Sequence, residues 1–128
     1  MSTNTPSYAI GKQFHAALLA GDWAAIRSLL HDDATWTLPG ENTISGTAVG
    51  ADAVVERVQK IAGYGLSFEL LNILVSRDNV ALSLHNTAHR DDAVLDEYLA
   101  TVMQLRDGKV ASIETFLSDV PGMNAFFV

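Results

Sequence analysis

The side chains with chemical potential in this sequence are polar residues set into alternating apolar strands. From Val80 to His89 the even positions Val80, Leu82 and Leu84 are apolar, and Ala81, Ser83, His85, Thr87 and His89 between them are small or polar. Strand side chains alternate between faces, so the even set packs inward and carries Asn86 with it. From Val94 to Leu105 the odd positions Leu95, Leu99, Met103 and Leu105 take the inward role, and Glu97 and Thr101 stand among them. Thr115, between Ile113 and Leu117, repeats the pattern on the last strand. A buried amide or carboxylate with no partner costs about 1–3 kcal/mol, so each needs compensation. Two readings meet that need. Asn86 and Glu97 lie at the open end of their hairpin and are hydrated there, or they face the mouth of a pocket. In the second reading a Glu97 carboxylate held between Leu95 and Leu99 suits general acid or base catalysis, with Asn86 orienting it or a substrate carbonyl.

Other chemistries drop out. His15, His31, His85 and His89 lack a third ligand at metal-binding spacing, so neither a metal nor a cofactor is expected. Asp32-Asp33 and Asp91-Asp92 read as turn formers rather than acid/base pairs. Ser83, Ser112 and Ser118 sit in no nucleophile elbow, and Gly46 to Gly50 lacks phosphate-loop spacing. The absence of cysteine excludes disulfides, zinc knuckles and thiol nucleophiles. Fifteen acidic side chains against eight basic ones give a net charge of −7, without the basic stripe that nucleic acid requires. The start Met-Ser-Thr-Asn-Thr-Pro has no signal-peptide pattern, and no apolar stretch is long enough to span a bilayer. The expectation is a soluble, cytoplasmic protein with neither nucleic-acid nor membrane partners.

The elements that must position these residues follow from periodicity. At 128 residues, 48% of them apolar, the chain is expected to form one domain over 1–128, with a flexible tail over 1–7. Ile10, Phe14, Ala17 and Leu18 have helical spacing, Gly21 ends that helix, and Asp22 caps a second carrying Trp23, Ile26, Leu29 and Leu30. Ala34 to Leu38 alternates as a strand up to Pro39-Gly40, Glu41 to Gly50 reads as a polar loop, and Val54, Val58 and Ile61 mark a third helix ending near Gly63. Leu66, Phe68 and Leu70 then alternate on one parity and Leu71, Ile73 and Val75 on the other, as a β-bulge would produce. Turns at Arg77–Asn79, Asp91-Asp92 and Arg106–Gly108 separate the remaining strands. The fold class is α+β, with three N-terminal helices packed on one face of a curved, mostly antiparallel sheet.

Register refines the faces. A two-residue turn at Asp91-Asp92 sets Leu84 opposite Leu99 and Asn86 opposite Glu97. A three-residue loop at Arg106–Gly108, bulged at Gly108, keeps Ile113, Thr115 and Leu117 inside. The outer face then presents His85, Thr87, Tyr98, Val102, Val110 and Phe116, a partly apolar surface for which a second copy of the chain is the expected cover.

Four segments carry a family likeness: Phe-His-Ala-Ala-Leu-Leu-Ala-Gly-Asp-Trp at 14–23, His-Asp-Asp-Ala-Thr-Trp-Thr-Leu-Pro-Gly at 31–40, Ser-Gly-Thr at 45–47 and Leu-Arg-Asp-Gly-Lys-Val at 105–110. In order and spacing the chain resembles the SnoaL-like branch of the nuclear transport factor 2-like superfamily over nearly its whole length. The resemblance implies a cone-shaped α+β barrel, a deep apolar pocket between sheet and long helix, and homodimers through the outer sheet face at His85, Tyr98, Val102 and Phe116. The tyrosine, aspartate and protonated acid of the superfamily's ketosteroid isomerases correspond to Phe14, Leu38 and Thr101, so that apparatus is missing. SnoaL-type polyketide cyclases need a pocket carboxylate, for which the resemblance points to Glu97, and to Asp119 where the family often has an acid. Two functions are therefore expected. One is a cofactor-free cyclase or isomerase acting on an apolar carbonyl compound, with Glu97 and Asp119 catalytic and Phe14, Trp36, Leu38, Asn86, Leu99, Thr101 and Thr115 binding substrate. The other is a non-catalytic ligand-binding or dimeric accessory protein.

Overall fold

The structure, a computed structural model, describes residues 5–128. Helix α1 runs Pro6–Ala20, opened by Thr5, whose Oγ1 accepts the Tyr8 N–H at 3.2 Å, and closed by Gly21. Gly21 has φ 66°, the left-handed conformation that a helix C-terminus favours and glycine takes without steric cost. The tail expected over 1–7 is shorter at its described end, because Pro6 and Ser7 are already helical; residues 1–4 lie outside the described residues. Asp22 caps α2 (Trp23–Leu29) by accepting the Ala25 N–H at 3.1 Å, as the sequence indicates. There follow β1 (Leu30–Leu38), β2 (Gly46–Val49), α3 (Ala51–Ala62), β3 (Ser67–Ser76), β4 (Asn79–Arg90), β5 (Ala93–Arg106), β6 (Lys109–Leu117) and α4 (Val120–Phe126).

The six strands form one sheet in the order β2-β1-β6-β5-β4-β3, curved but not closed. β3 to β6 are an antiparallel meander, and β1 joins β6 in parallel, which makes the sheet mixed. Leu84 pairs with Leu99 and Asn86 with Glu97, the register that the apolar parity requires. The bulge falls at Leu71: Leu70 pairs with Leu84 and Asn72 with Ser83, so the extra residue bends β3. The inner face then holds Val80, Leu82, Leu84, Asn86 and Ala88 of β4 beside Leu95, Glu97, Thr101 and Met103 of β5, all buried.

Three expectations are corrected. Asp32 and Asp33 are not a turn but part of β1, where the pairing with β6 slips between Leu30 and Thr35; both are exposed, Asp32 on Arg27 and Asp33 on Arg106. The loop over 41–50 contains β2, a short edge strand pairing Gly46 with Leu38 and Val49 with Thr35. Four residues are too few for alternation to announce a strand. The last hairpin turns on two residues, Asp107 (φ 53°) and Gly108 (φ 79°), with Arg106 opposite Lys109. The compensating bulge lies in the strand instead, since Leu105 pairs with Val110 and Gln104 with Ser112, leaving Ala111 over. Ile113 and Thr115 therefore stay inside as expected, but Val110, expected outside, is wholly buried. Beyond the elements read from the sequence, α4 follows β6, capped by Asp119.

Helix α1 packs into the concave face at Gly11. A Cβ there would stand 2.8 Å from Cγ2 of buried Val80 and 3.2 Å from Cδ2 of Leu82, so only glycine permits this approach. Val54, Val58 and Ile61 of α3 are buried, α3 lying against β1. No helix among the described residues is long and apolar enough to cross a membrane. On the outer face Tyr98 (55% exposed) and Phe116 (54%) are open, and the His85 ring stacks on Tyr98 with centroids 4.2 Å apart. Its Nε2 is 2.6 Å from Asp96 and its Nδ1 is 3.4 Å from Glu69. The hydrogen bond to Asp96 leads in raising the His85 pKa, with Glu69 adding to it.

Two outcomes are expected. Gly11→Ala gains about 1 kcal/mol of helix propensity but loses more to overpacking, for a net destabilisation of about 1–2 kcal/mol in urea unfolding, relieved by Val80→Ala. The His85 interaction stabilises the fold fully below the unfolded imidazole value of about 6.5 and fades as pH rises through the higher folded value. Asp96→Asn should lower the His85 pKa read from ring-proton NMR shifts and flatten the pH dependence of stability in that window.

Candidate functional site

Between α1, α3 and the concave face lies a cavity in which about 70 Å³ admits the centre of a water molecule. Phe14 and Leu18 enter from α1, Trp36 and Leu38 from β1, Val58 and Ile61 from α3, and Leu82, Leu84 and Asn86 from β4. Leu99 and Thr101 of β5, Ile113 and Thr115 of β6, and Met123 and Phe127 at the C-terminal end complete most of the wall, with Ile44, Leu66 and Phe68. All seven residues expected to bind substrate, Phe14, Trp36, Leu38, Asn86, Leu99, Thr101 and Thr115, line this space. Only Asn86, Thr101 and Thr115 in the lining are neither aliphatic nor aromatic, apart from the thioether of Met123, and no side chain of the lining titrates.

Two polar groups face the cavity in different states. Trp36 Nε1–H donates to Thr115 Oγ1 at 2.9 Å, and the Thr115 and Thr101 hydroxyls share a hydrogen bond at 3.0 Å, so each of these three side chains has a partner among the others. The indole is fixed from behind by Arg57, which lies over its ring at 5.3 Å and donates to the Trp36 carbonyl at 2.9 Å. Burial holds the Arg57 pKa below its ordinary value. Asn86 is different: it is 8% exposed, and its Oδ1 is buried without a hydrogen-bond partner.

Glu97 and Asp119, expected as acid/base groups, do not line the cavity. Glu97 is buried at 1% exposure, and its Oε2 accepts the Ser118 hydroxyl at 2.9 Å and the Asp119 N–H at 2.6 Å. Ser118 Oγ in turn accepts the Tyr98 N–H at 3.0 Å. The Asp119 carboxylate caps α4 through the Gly122 N–H at 3.0 Å. Both acids therefore build the joint that turns β6 into α4. The wall residues Met123 and Phe127 depend on that joint, and the sequence reading missed them along with α4 itself. Their signal was available in Met123, Phe126 and Phe127 at helical spacing after Asp119-Val120-Pro121.

The C-terminal residues that wall the cavity are pinned by backbone and aromatic contacts. Phe127 is wholly buried; its carbonyl accepts the Thr43 N–H at 3.2 Å and its ring meets Tyr64 edge-on at 4.7 Å. Arg90 donates to the Phe126 and Val128 carbonyls, both at 3.3 Å, from a position over the Tyr64 ring. Leu18, Leu66 and Phe68 of the wall also border an outer groove beside Leu19, Gly21 and Trp23. His15 Nε2 donates to the Phe68 carbonyl at 2.9 Å, tying α1 to β3 there.

Comparison with known proteins adds family and fold. A family model described as a SnoaL-like domain matches residues 12–113. No curated protein matches the chain in sequence. Among solved structures, Bal32a from a soil-derived mobile gene cassette is 24% identical with a TM-score of 0.91, the alignment covering 96% of this chain and 97% of that one. A protein of unknown function with a cystatin-like fold from Xanthomonas campestris is 25% identical (TM-score 0.84; 94% and 97% covered). TerC, co-crystallised with polyporic acid, is 17% identical (TM-score 0.82; 96% and 98% covered).

Removing the Glu97 carboxylate strands two donors at the β6–α4 joint. Glu97→Ala should cost about 2–4 kcal/mol in denaturant unfolding, with amide exchange at Met123 and Phe127 accelerated more than at Leu82. Glu97→Gln, which keeps one acceptor oxygen, should recover part of the loss.

Proposed function

The chain belongs to the SnoaL-like domain family, and on that premise we propose that it binds a small, largely apolar molecule in the cavity between α1 and the sheet. The fold is one used by ligand-binding and cyclase- or isomerase-type proteins. One observation carries the choice between them: the wall holds no titratable side chain, and the two acids nearest to it in sequence logic are committed to the α4 joint. Proton-transfer catalysis needs a group that titrates within reach of the reacting atom. Binding needs only a preformed apolar space with a few polar groups, which is what these residues provide. That TerC, a protein of the same fold, was co-crystallised with polyporic acid supports the reading.

We further propose the homodimer through the outer sheet face. Tyr98 and Phe116 are each more than half exposed on adjacent strands, beside the stacked His85, and exposed aromatics of this kind are characteristic of interfaces. Val102, half-buried, lies on the same face between them and the Asp107-Gly108 turn.

Toluene is a suitable first probe. In methyl-resolved NMR its addition should move Leu84, Leu99 and Ile113, and leave Leu74, which is exposed at 57%, unchanged. Shifts confined to surface methyls would reject the cavity as the binding site. In sedimentation the wild-type protein should be dimeric and Phe116→Glu monomeric; a dimer that survives the charge would move the interface elsewhere.

A further inference from the structure

Resting on the reading that the cavity binds small molecules, we infer that Asn86 is the anchor of an uncharged ligand whose single polar head group, a hydroxyl that donates to Oδ1, lies at the Asn86 end. Three polar side chains line the cavity, and two of them are already spent. Thr115 accepts from Trp36 and shares a second hydrogen bond with Thr101, so every polar side-chain atom of this group already has a partner, unlike Asn86 Oδ1. Asn86 forms no side-chain hydrogen bond among the described residues, and its Oδ1 is buried without a partner. Neither cross-strand neighbour hydrogen-bonds its side chain: Phe68 on β3 is apolar, and Glu97 on β5 is turned to Ser118 and Asp119 through Oε2. An amide oxygen buried in an apolar wall and unpaired is a standing cost to the folded protein, which a ligand hydroxyl removes by donating to it.

The same wall sets the charge. No lining residue carries a charge of either sign, so a carboxylate or ammonium would enter with nothing to balance it. The two polar positions also fix orientation. Asn86 pairs with Glu97 while Thr101 lies four residues further along β5, an offset of about 13 Å along the strand. The head group thus points to the Asn86 end and the apolar body toward Trp36, Thr101 and Thr115.

A matched set of single-ring probes tests this: toluene, 4-methylphenol and 4-methylbenzoate, added to the wild-type protein at neutral pH and followed by calorimetry and by ¹⁵N NMR. The phenol should bind about three- to tenfold tighter than toluene, the gain from one hydrogen bond to an unpaired group. The benzoate should bind more weakly than either. The Asn86 side-chain amide signals should move further with the phenol than with toluene, while the Trp36 indole N–H should respond to the two alike. Asn86→Leu should abolish the preference for phenol over toluene. Equal affinity for phenol and toluene, benzoate binding as tight as toluene, or a phenol-specific shift at Trp36 without one at Asn86 would each overturn the assignment and leave the cavity-binding reading standing. Failure of all three probes to bind would overturn both. Because the wild-type comparison stands alone, the inference does not depend on the variant folding.

Discussion

A bent sheet cannot be covered evenly by a straight helix, and that mismatch makes the cavity. The bulge at Leu71 bends β3, and α1 is drawn onto the concave face where Gly11 lets it approach Val80 and Leu82. Further along, Phe14 and Leu18 of the same helix line the space that remains, together with the inner faces of β4, β5 and β6. A side chain at position 11 would lift the helix and change that gap. The functional site is thus a by-product of how helix and sheet are held together, and its walls are core residues doing two jobs.

Polar groups on this inner face meet three different fates. Thr101, Thr115 and Trp36 pair among themselves, Glu97 is recruited by the backbone of the β6–α4 turn, and Asn86 is left without a partner. The strand pattern treats all of these residues alike, since each is a polar interruption of an apolar parity. Their partners separate them. Glu97 meets donors contributed by Ser118 and Asp119, about twenty residues later in the chain, and no local pattern marks that encounter.

Much of the fold was nevertheless legible. The Leu84–Leu99 and Asn86–Glu97 pairs followed from parity and one short turn, and the Leu71 bulge from a change of parity within a single strand. The last hairpin shows why such reasoning fails locally. Parity demanded an extra residue somewhere between Leu105 and Ile113, and the inner placement of Ile113 and Thr115 was right, but the residue is Ala111 in the strand rather than one in the loop. That displacement of a few residues moved Val110 from the expected outer face into the core. The short edge strand β2 escaped for another reason: four residues give periodicity too little length to be read.

By itself the sequence determined the helix ends, the strand faces, the family and the residue types that meet inside, because capping, alternation and glycine placement act over a few neighbouring positions. Tertiary structure alone decided which of the inward polar groups is free. Hydrogen bonding is a matter of atoms within about 3 Å, and the atoms that satisfy Glu97 and Thr115 come from distant parts of the chain. From the strands alone Glu97 stood out as the group to watch; once α4 is folded against it, the unpaired amide of Asn86 takes that place.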